Sequence, residues 1–264
     1  MPAQLPTPAQ GAVSRAGTAT PQVEPANGAI GSADALWERA EASRAAADYE
    51  ATLAFLTGAA GDDPELLWRL ARAYKDVATR TARRDADRKT LKLEGLEVAR
   101  RATLRGPACF KAYLWLGIML GQASDHLGVM DKLKGAYGIR DNFKRAAELE
   151  PTDAESVHCL GQWCYSIAEM GASSWVARNG MASIGLKASF EEALGHFRAA
   201  VPLKAPYLVN DHMIGKCHFA LGQWAQAAMY LRKVVAAGAQ ASPDDEDARQ
   251  AAIRLLADPK IAAS

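Results

Sequence analysis

The stretch KLKGAYGIRDNFKRAAELEPTDAESVHCLGQWCYSIAEM, residues 132–170, decides the fold of this chain. Apolar residues recur in it every three or four positions, which is the period of an amphipathic helix. The segment Glu150-Pro151-Thr152-Asp153 interrupts this period, and a proline beside a helix start is typical of a junction between two helices. Before the junction Phe143 stands three positions ahead of Ala146, and after it Leu160 is followed by Gly161. The stretch therefore predicts two helices joined by a short turn.

The same two patterns recur along the chain. The patterns define a repeating unit of two helices. The first helix of a unit carries an apolar residue followed by a small one. The second helix carries a large apolar residue three positions before a small one. The pairs are Leu70-Ala71, Leu116-Gly117, Leu160-Gly161 and Ile214-Gly215, then Phe143 with Ala146, Phe197 with Ala200, and Leu231 with Val234. This is the tetratricopeptide pattern, in which the small residue permits close packing of paired helices. Because no stretch alternates long enough for a strand, we expect an all-α solenoid of helical hairpins.

Three of the hairpins carry insertions. In the last unit the small residues Gly215 and Val234 are 19 positions apart, which is the standard spacing. The spacing is 31 from Ala71 to Ala102, 29 from Gly117 to Ala146, and 39 from Gly161 to Ala200. The three central units therefore contain insertions of 12, 10 and 20 residues between their paired helices. We expect these insertions to project at one rim of the solenoid, where function is often concentrated.

Composition sets the domain boundaries. Residues 1–33 hold five prolines and two charges, so we expect a disordered leader. Residues 34–240 are predicted to form the repeat domain, and residues 241–264 a C-terminal capping helix and tail. No apolar run approaches the ~20 residues of a transmembrane segment. The predicted helices span 34–46, 48–60, 64–80, 88–105, 107–122, 131–149, 153–170, 188–201, 205–220, 223–237 and 244–256.

Neither composition nor motifs indicate an enzyme. The 264 residues include 31 Lys and Arg against 30 Asp and Glu, so the net charge of +1 favours no partner class. Phosphate-loop, nucleophile-elbow and zinc-protease motifs are absent from the sequence, and we expect no catalytic site and no cofactor. His158, Cys159 and Cys164 match no structural zinc pattern, so no metal site is predicted. The four widely spaced cysteines favour a reducing compartment.

Charge is unevenly distributed within this neutral chain. Residues 69–105 carry twelve Lys and Arg against five acids, whereas residues 34–65 carry eight acids against two Arg. The basic residues concentrate in the first insertion, and the candidate partner-binding set is Arg80, Arg83, Arg84, Arg88, Lys89 and Lys92. One interpretation is a solvated helical face. The other is a patch for an acidic partner. No recognition motif indicates a nucleic acid.

The third insertion has a different chemistry. Residues 165–189, YSIAEMGASSWVARNGMASIGLKAS, are rich in Gly, Ser, Met and Ala. The favoured interpretation is that Trp175 and Met181 pack the longer hairpin onto its neighbours. The alternative is that Trp175, Met181 and Ile184 line an apolar groove for an apolar chain or a peptide helix.

The inserted repeats resemble the regulator of microtubule dynamics family. The resemblance rests on AYLWLGIMLGQASDHLG (112–128), on residues 132–170 with the string HCLGQWCY, and on SFEEALGHFRAA (189–200), and it covers about residues 34–240. It implies a non-catalytic all-helical protein associated with microtubules and spindle organisation. One branch of that family is anchored in the outer mitochondrial membrane and contributes to organelle contacts and phospholipid binding. We expect no counterpart of that branch's membrane segment in this chain, and therefore no tethering of that kind.

The predicted function is that of an interaction protein on microtubules, with tubulin or a microtubule-associated protein as partner. The acidic tails of tubulin suit the basic residues of the first insertion. Its expected location is the cytoplasm and cytoskeleton, on a microtubule array, a spindle or a cilium, rather than mitochondria. The alternative is a module that binds phospholipid, or acts at an organelle contact site, through the apolar groove.

Overall fold

The periodic segments of the sequence form α-helices. The structure, a computed structural model, describes residues 26–81, 84–125, 127–238 and 242–262. Within these ranges it contains no β-strand, which confirms the predicted all-α class. The helices are α1 (Ala26–Ser43), α2 (Ala46–Ala59), α3 (Pro64–Arg80), α4 (Asp85–Arg105), α5 (Phe110–Ser124), α6 (Val129–Leu149), α7 (Ala154–Ser173), α8 (Trp175–Ser183), α9 (Phe190–Ala200), α10 (Leu208–Ala220), α11 (Trp224–Ala236), α12 (Pro243–Leu256) and α13 (Pro259–Ala262).

Side-chain caps fix where several helices begin. The first N–H groups of a helix have no partner within the helix, so a carboxylate or hydroxyl oxygen just ahead of it stabilises that end. Asp63 accepts a hydrogen bond from the backbone N–H of Glu65 at 2.8 Å, and Pro64 occupies the first position of α3. Asp153 accepts from the backbone N–H of Ser156 at 2.8 Å and starts α7. The junctions with prolines thus act as helix starts.

Five hairpins follow one another in the chain: α1 with α2, α3 with α4, α5 with α6, α7 with α9, and α10 with α11. Their closest contacts lie where the sequence predicts them. A Cβ added to Gly117 would stand 2.5 Å from the Phe143 ring, and one added to Gly161 would stand 2.7 Å from the Phe197 ring. At these distances a side chain at either position would displace the facing ring, so glycine suits both positions. The predicted pairing of small and large residues is confirmed.

The insertions mainly extend the helices. The first two insertions lie in the hairpins α3–α4 and α5–α6. The second helix of each hairpin, α4 or α6, is 21 residues long. In the third unit α7 extends to 20 residues, and the added helix α8 follows it before α9 closes the hairpin. Ser174 caps α8 by accepting a hydrogen bond from the backbone N–H of Ala177. The sequence did not predict α8 as a helix.

The N-terminal boundary differs from the prediction. Helix α1 begins at Ala26, so residues 26–33, assigned above to a disordered leader, are helical. Ala29 and Ala33 are buried, and they pack with Leu56 and other apolar residues of the first two hairpins. This small apolar face supplies burial that the composition of the segment does not reveal. The rest of the predicted leader lies outside the described residues.

The C-terminal helices cover the last hairpin. Helix α12 packs against α10 and α11, and α13 packs against α11. Ile261 of α13 is fully buried and joins Leu231 and Val234 of α11 in one apolar cluster.

Candidate functional site

Two members of the predicted basic set form ion pairs with carboxylates of the fold itself. Arg80 contacts the carboxylates of Asp244 and Asp247 at the start of α12, the second at 2.8 Å. The Lys92 ammonium lies 2.7 Å from a carboxylate oxygen of Asp125, and Lys92 is buried. The structure therefore gives these two residues an internal role, and it separates them from the exposed part of the set.

The exposed part of the set lies at the start of α4. Arg84, Arg88 and Lys89 stand at or just after its first turn. The side chain of Arg84 is 80% exposed and pairs with Asp87 at 2.7 Å, while Arg88 pairs with Asp85. Lys89 is exposed. Arg83, also predicted, lies outside the described residues. We call Arg84, Arg88 and Lys89 the α4 patch.

The third insertion does not gather its predicted residues around a groove. Trp175 is 74% exposed, so the favoured interpretation that it packs the hairpin is wrong for this residue. Met181 does pack inward, because it is buried and its sulfur lies beside Gly171. Ile184 is 38% exposed. Trp175 begins α8 on the side away from its buried residues Ala177, Gly180 and Met181.

A cavity of about 690 Å³ occupies the concave side of the solenoid. We call it the concave channel. It is lined by residues of α1, α3, α5, α7, α10 and α12, which are the first helices of the hairpins together with the terminal helix. Three tryptophans, Trp37, Trp68 and Trp115, lie along one side, and the rings of Trp68 and Trp115 stack with their centroids 6.5 Å apart. Sequence reasoning missed this site, although one tryptophan on each of three successive first helices was a usable signal.

Arg72 stands between two of these tryptophans. Its guanidinium carbon lies 4.1 Å from the centroid of the Trp37 ring and 5.2 Å from that of Trp68. Its neighbour Arg69 binds Asp34 in bidentate fashion, with Nε donating at 2.8 Å and Nη2 at 2.9 Å. The Arg69 guanidinium lowers the pKa of the Asp34 carboxyl below its usual value. Burial lowers the pKa of Arg72. The concave channel thus presents a cation against an aromatic wall.

His158 forms a buried polar link at the channel wall. Its Nδ1 lies 2.9 Å from Oδ1 of Asn210, and the Asn210 amide donates to the backbone oxygen of Phe197 at 2.8 Å. Burial lowers the pKa of His158 to about 4, so the imidazole is neutral at physiological pH. The residue connects α7 to α10 and α9, and this structural role accounts for it without a metal.

One group of side chains offers donor atoms at metal-binding distances. The donor atoms of Cys164, Glu192 and His196 lie within 4.8 Å of one another. Burial first, and then the carboxylate of Glu192, raise the pKa of the Cys164 thiol to about 12. The thiol keeps its proton at neutral pH and hydrogen-bonds with Glu192, and this bond accounts for their proximity. We assign no metal to the group.

A second cavity, of about 550 Å³, lies between α5, α6 and α7. Its walls are mixed: they include the apolar residues Ile139, Phe143, Trp163 and Met170, and polar residues that include Lys132 and Glu169. It shares Ile118, Gln122 and Gln162 with the concave channel, so the two spaces adjoin. Neither contains Trp175, Met181 or Ile184.

In the part of the chain that the structure describes, no helix is both long enough and apolar enough to span a bilayer.

Stacked hairpins with glycine–aromatic contacts define the class of this protein as a tetratricopeptide-like helical repeat protein. A solved tetratricopeptide repeat protein of Thermus thermophilus superposes with a TM-score of 0.59 at 16% identity, over 87% of this chain and 98% of that one. Residues 29–260 match the sequence profile described as regulator of microtubule dynamics protein 1-3. The chain belongs to this family.

Individual relatives agree with the family match. Regulator of microtubule dynamics protein 1 of Bos taurus is 37% identical over 177 residues, which are 65% of this chain and 55% of that protein. The Homo sapiens protein of that name is 35% identical over 170 residues, 63% of this chain and 53% of that protein. Regulator of microtubule dynamics protein 3 of Xenopus laevis is 32% identical over 176 residues, 65% of this chain and 37% of that protein. The chain therefore matches just over half the length of the protein 1 relatives and less of protein 3.

Proposed function

We propose that this chain is a non-catalytic interaction protein that acts on microtubules, and that the α4 patch binds the acidic tails of tubulin. Its relatives are named as regulators of microtubule dynamics. The observation that carries the proposal is that Arg84, Arg88 and Lys89 stand together at the start of α4, where Arg84 and Lys89 are exposed and Arg88 is partly exposed.

The electrostatics of the α4 patch suit a loosely held acidic chain. Arg84 pairs with Asp87 and Arg88 pairs with Asp85, each three residues away on the same helix. Exposed pairs of this kind are weak, so an acidic tail can exchange with them at little cost. The attraction acts over about 8 Å at physiological salt, and binding should therefore weaken as salt rises.

Charge reversal tests the α4 patch. The variant Arg84→Glu, Arg88→Glu, Lys89→Glu should lose co-sedimentation with microtubules even at low salt. It should also fold normally, because the side chains are not buried and acids at the start of a helix suit the helix dipole. Arg80 and Lys92 stay unchanged, since each already pairs with a carboxylate of the fold, Arg80 with Asp247 and Lys92 with Asp125.

The matched control lies on α6, the equivalent helix of the next hairpin. Lys134→Glu, Lys144→Glu, Arg145→Glu reverses three exposed cations there and changes the net charge by the same amount. This variant should sediment with microtubules as the wild type does. Equal binding by the α4 variant would show that the patch is only a solvated face. Undiminished binding of the wild type to microtubules whose acidic tails have been removed by limited proteolysis would show that the tails are not the ligand.

A further inference from the structure

Exposed apolar side chains cluster where α6 and α8 begin. Trp175 and Val176 are the first two residues of α8, Val129 and Met130 are the first two of α6, and Leu127 stands just ahead of α6. Each of the five is between 36% and 74% exposed. Large apolar side chains mostly bury themselves, so a group of five in water is unusual. We call these five residues the rim patch.

The rim patch is continuous because α8 packs along α6 in the same direction. A Cβ added to Gly180 of α8 would stand 3.0 Å from the sulfur of Met130. Further along both helices, the Tyr137 hydroxyl donates to the backbone oxygen of Ile184 at 3.0 Å. Residues four apart share a helix face, so Val176 lies one turn before Gly180 on the face that meets α6. The start of α8 therefore stands beside the start of α6.

The rim patch is large enough to form the centre of a specific interface. Its exposed area is about 500 Å², which is near the upper end for the largest apolar patch on a monomeric protein. In a two-fold dimer the same surface is buried on both copies. Two rim patches would bury about 1,000 Å², and with the polar atoms around them the total reaches the ~1,200 Å² at which specific interfaces begin.

The charges beside the rim patch favour a second copy of this chain as its partner. The neighbouring acids already pair within the chain, Asp131 with Lys134 at 3.0 Å and Asp125 with Lys92 at 2.7 Å. Paired charges of both signs select neither a strongly acidic nor a strongly basic partner. Helices that lie on membranes carry several Lys and Arg beside their apolar face. Helix α8 contains one cation, Arg178, and its Nε donates to a backbone oxygen near the end of α7 at 3.1 Å.

We propose that this protein forms a weak two-fold dimer through the rim patch, in which Trp175 of each copy packs against the start of α6 of the other. Tryptophan is enriched among the residues that carry the affinity of interfaces. An interface at the lower end of the size range corresponds to a Kd of about 10 µM. The rim patch is separate from the α4 patch, and its dimerisation does not depend on the microtubule function proposed above.

Sedimentation-velocity ultracentrifugation of the full chain tests the proposal. The wild type should be mainly monomeric at about 1 µM and mainly dimeric at about 100 µM. Trp175→Ala should raise the Kd about 100- to 1,000-fold, because the substitution removes the ring from both copies, and it should stay largely monomeric at 100 µM. Raising the salt concentration should not weaken the wild-type dimer, since apolar contacts are not screened by ions.

Leu104→Ala is the control. Leu104 is an exposed apolar residue of α4 outside the rim patch, so this variant should dimerise as the wild type does. Melting curves at about 1 µM, below the expected Kd, should coincide for the wild type and both variants, because the substituted side chains are exposed in the monomer. Loss of association can then be told from loss of folding.

Two results would overturn the proposal: a wild type that stays monomeric at 100 µM, and a dimer that Trp175→Ala leaves intact. Vesicles of phosphatidylcholine with phosphatidylserine form the competing arm. If the wild type is monomeric and binds these vesicles, and Trp175→Ala does not, the rim patch is a membrane contact instead. The charge-reversed α4 variant should dimerise normally, and Trp175→Ala should still sediment with microtubules, so a failure of either proposal can be told from a failure of the other.

Discussion

At the scale of single residues, the contact between Gly161 and the Phe197 ring sets how closely α7 and α9 approach. Phe197 is fully buried, so a side chain at position 161 would press its ring against the surrounding core. Gly161→Leu should therefore lower the free energy of unfolding by about 1–3 kcal/mol, measured by urea titration. Gly138→Leu on α6 is the control, because a Cβ there meets nothing within 4 Å. The control should be neutral or stabilising, since glycine is unfavourable inside a helix. Equal effects of the two variants would contradict the assigned register.

His158 should make stability depend on pH. Its pKa is about 4 in the folded protein against an ordinary value of 6.5, so between these values the unfolded chain binds the proton and the folded chain does not. The stability that the neutral imidazole contributes to the fold is therefore complete above pH 6.5 and is lost as the pH falls towards 4. Over this window the free energy of unfolding falls by about 1.4 kcal/mol per pH unit. His158→Gln should show a shallower decline in the free energy of unfolding over this window. Identical slopes for variant and wild type would show that the imidazole titrates normally.

At the scale of elements, Met181 rather than Trp175 packs α8 against α7. Met181 is buried beside Gly171, whereas Trp175 is 74% exposed. Met181→Ala should lower the free energy of unfolding by about 2–5 kcal/mol, because it leaves a cavity between α7 and α8. Trp175→Ala, although it removes a larger side chain, should leave the melting temperature nearly unchanged. A large loss of stability from Trp175→Ala would mean that the ring is packed in solution.

The sequence predicted well those helices that are marked by residue spacing or by a capping residue close to them in the chain. Spacing between Gly117 and Ala146 revealed a longer hairpin, and the cap at Asp153 marked the start of α7. Helix α8 was missed because its residues 175–183 are mostly small or polar, and it is stabilised by packing on α6 and α7 rather than by a strong period of its own.

The candidate sites were harder to predict because their geometry depends on contacts between distant residues. From sequence alone Lys92 was grouped with the other cations of the first insertion, but the fold places Asp125 beside it. Arg72 contacts the Trp37 ring only because the fold brings α1 beside α3. The α4 patch could be located from sequence because it consists of neighbouring residues on a single helix.

At the scale of the whole molecule, charged side chains join the two ends of the solenoid across the concave channel. Arg80 at the end of α3 contacts Asp244 and Asp247 of α12, more than 160 residues later in the chain. Lys75 adds a longer contact of 3.9 Å to Asp244. Because the solenoid is otherwise built from contacts between neighbouring hairpins, these ion pairs close the channel on one side and are a direct restraint on its curvature.

Removal of this restraint should open the solenoid without unfolding it. In Asp244→Asn, Asp247→Asn the ion pairs to Arg80 are lost, and the radius of gyration from small-angle X-ray scattering should increase. The melting temperature should change little, since partly exposed pairs contribute only about 0–1 kcal/mol each. High salt should expand the wild type in the same direction but not the variant, because screening acts on the same pairs. The control Asp131→Asn, Asp141→Asn changes the net charge equally at exposed local pairs on α6 and should leave the radius of gyration unaltered. An unchanged radius in the α12 variant would show that helix packing alone sets the curvature of the solenoid.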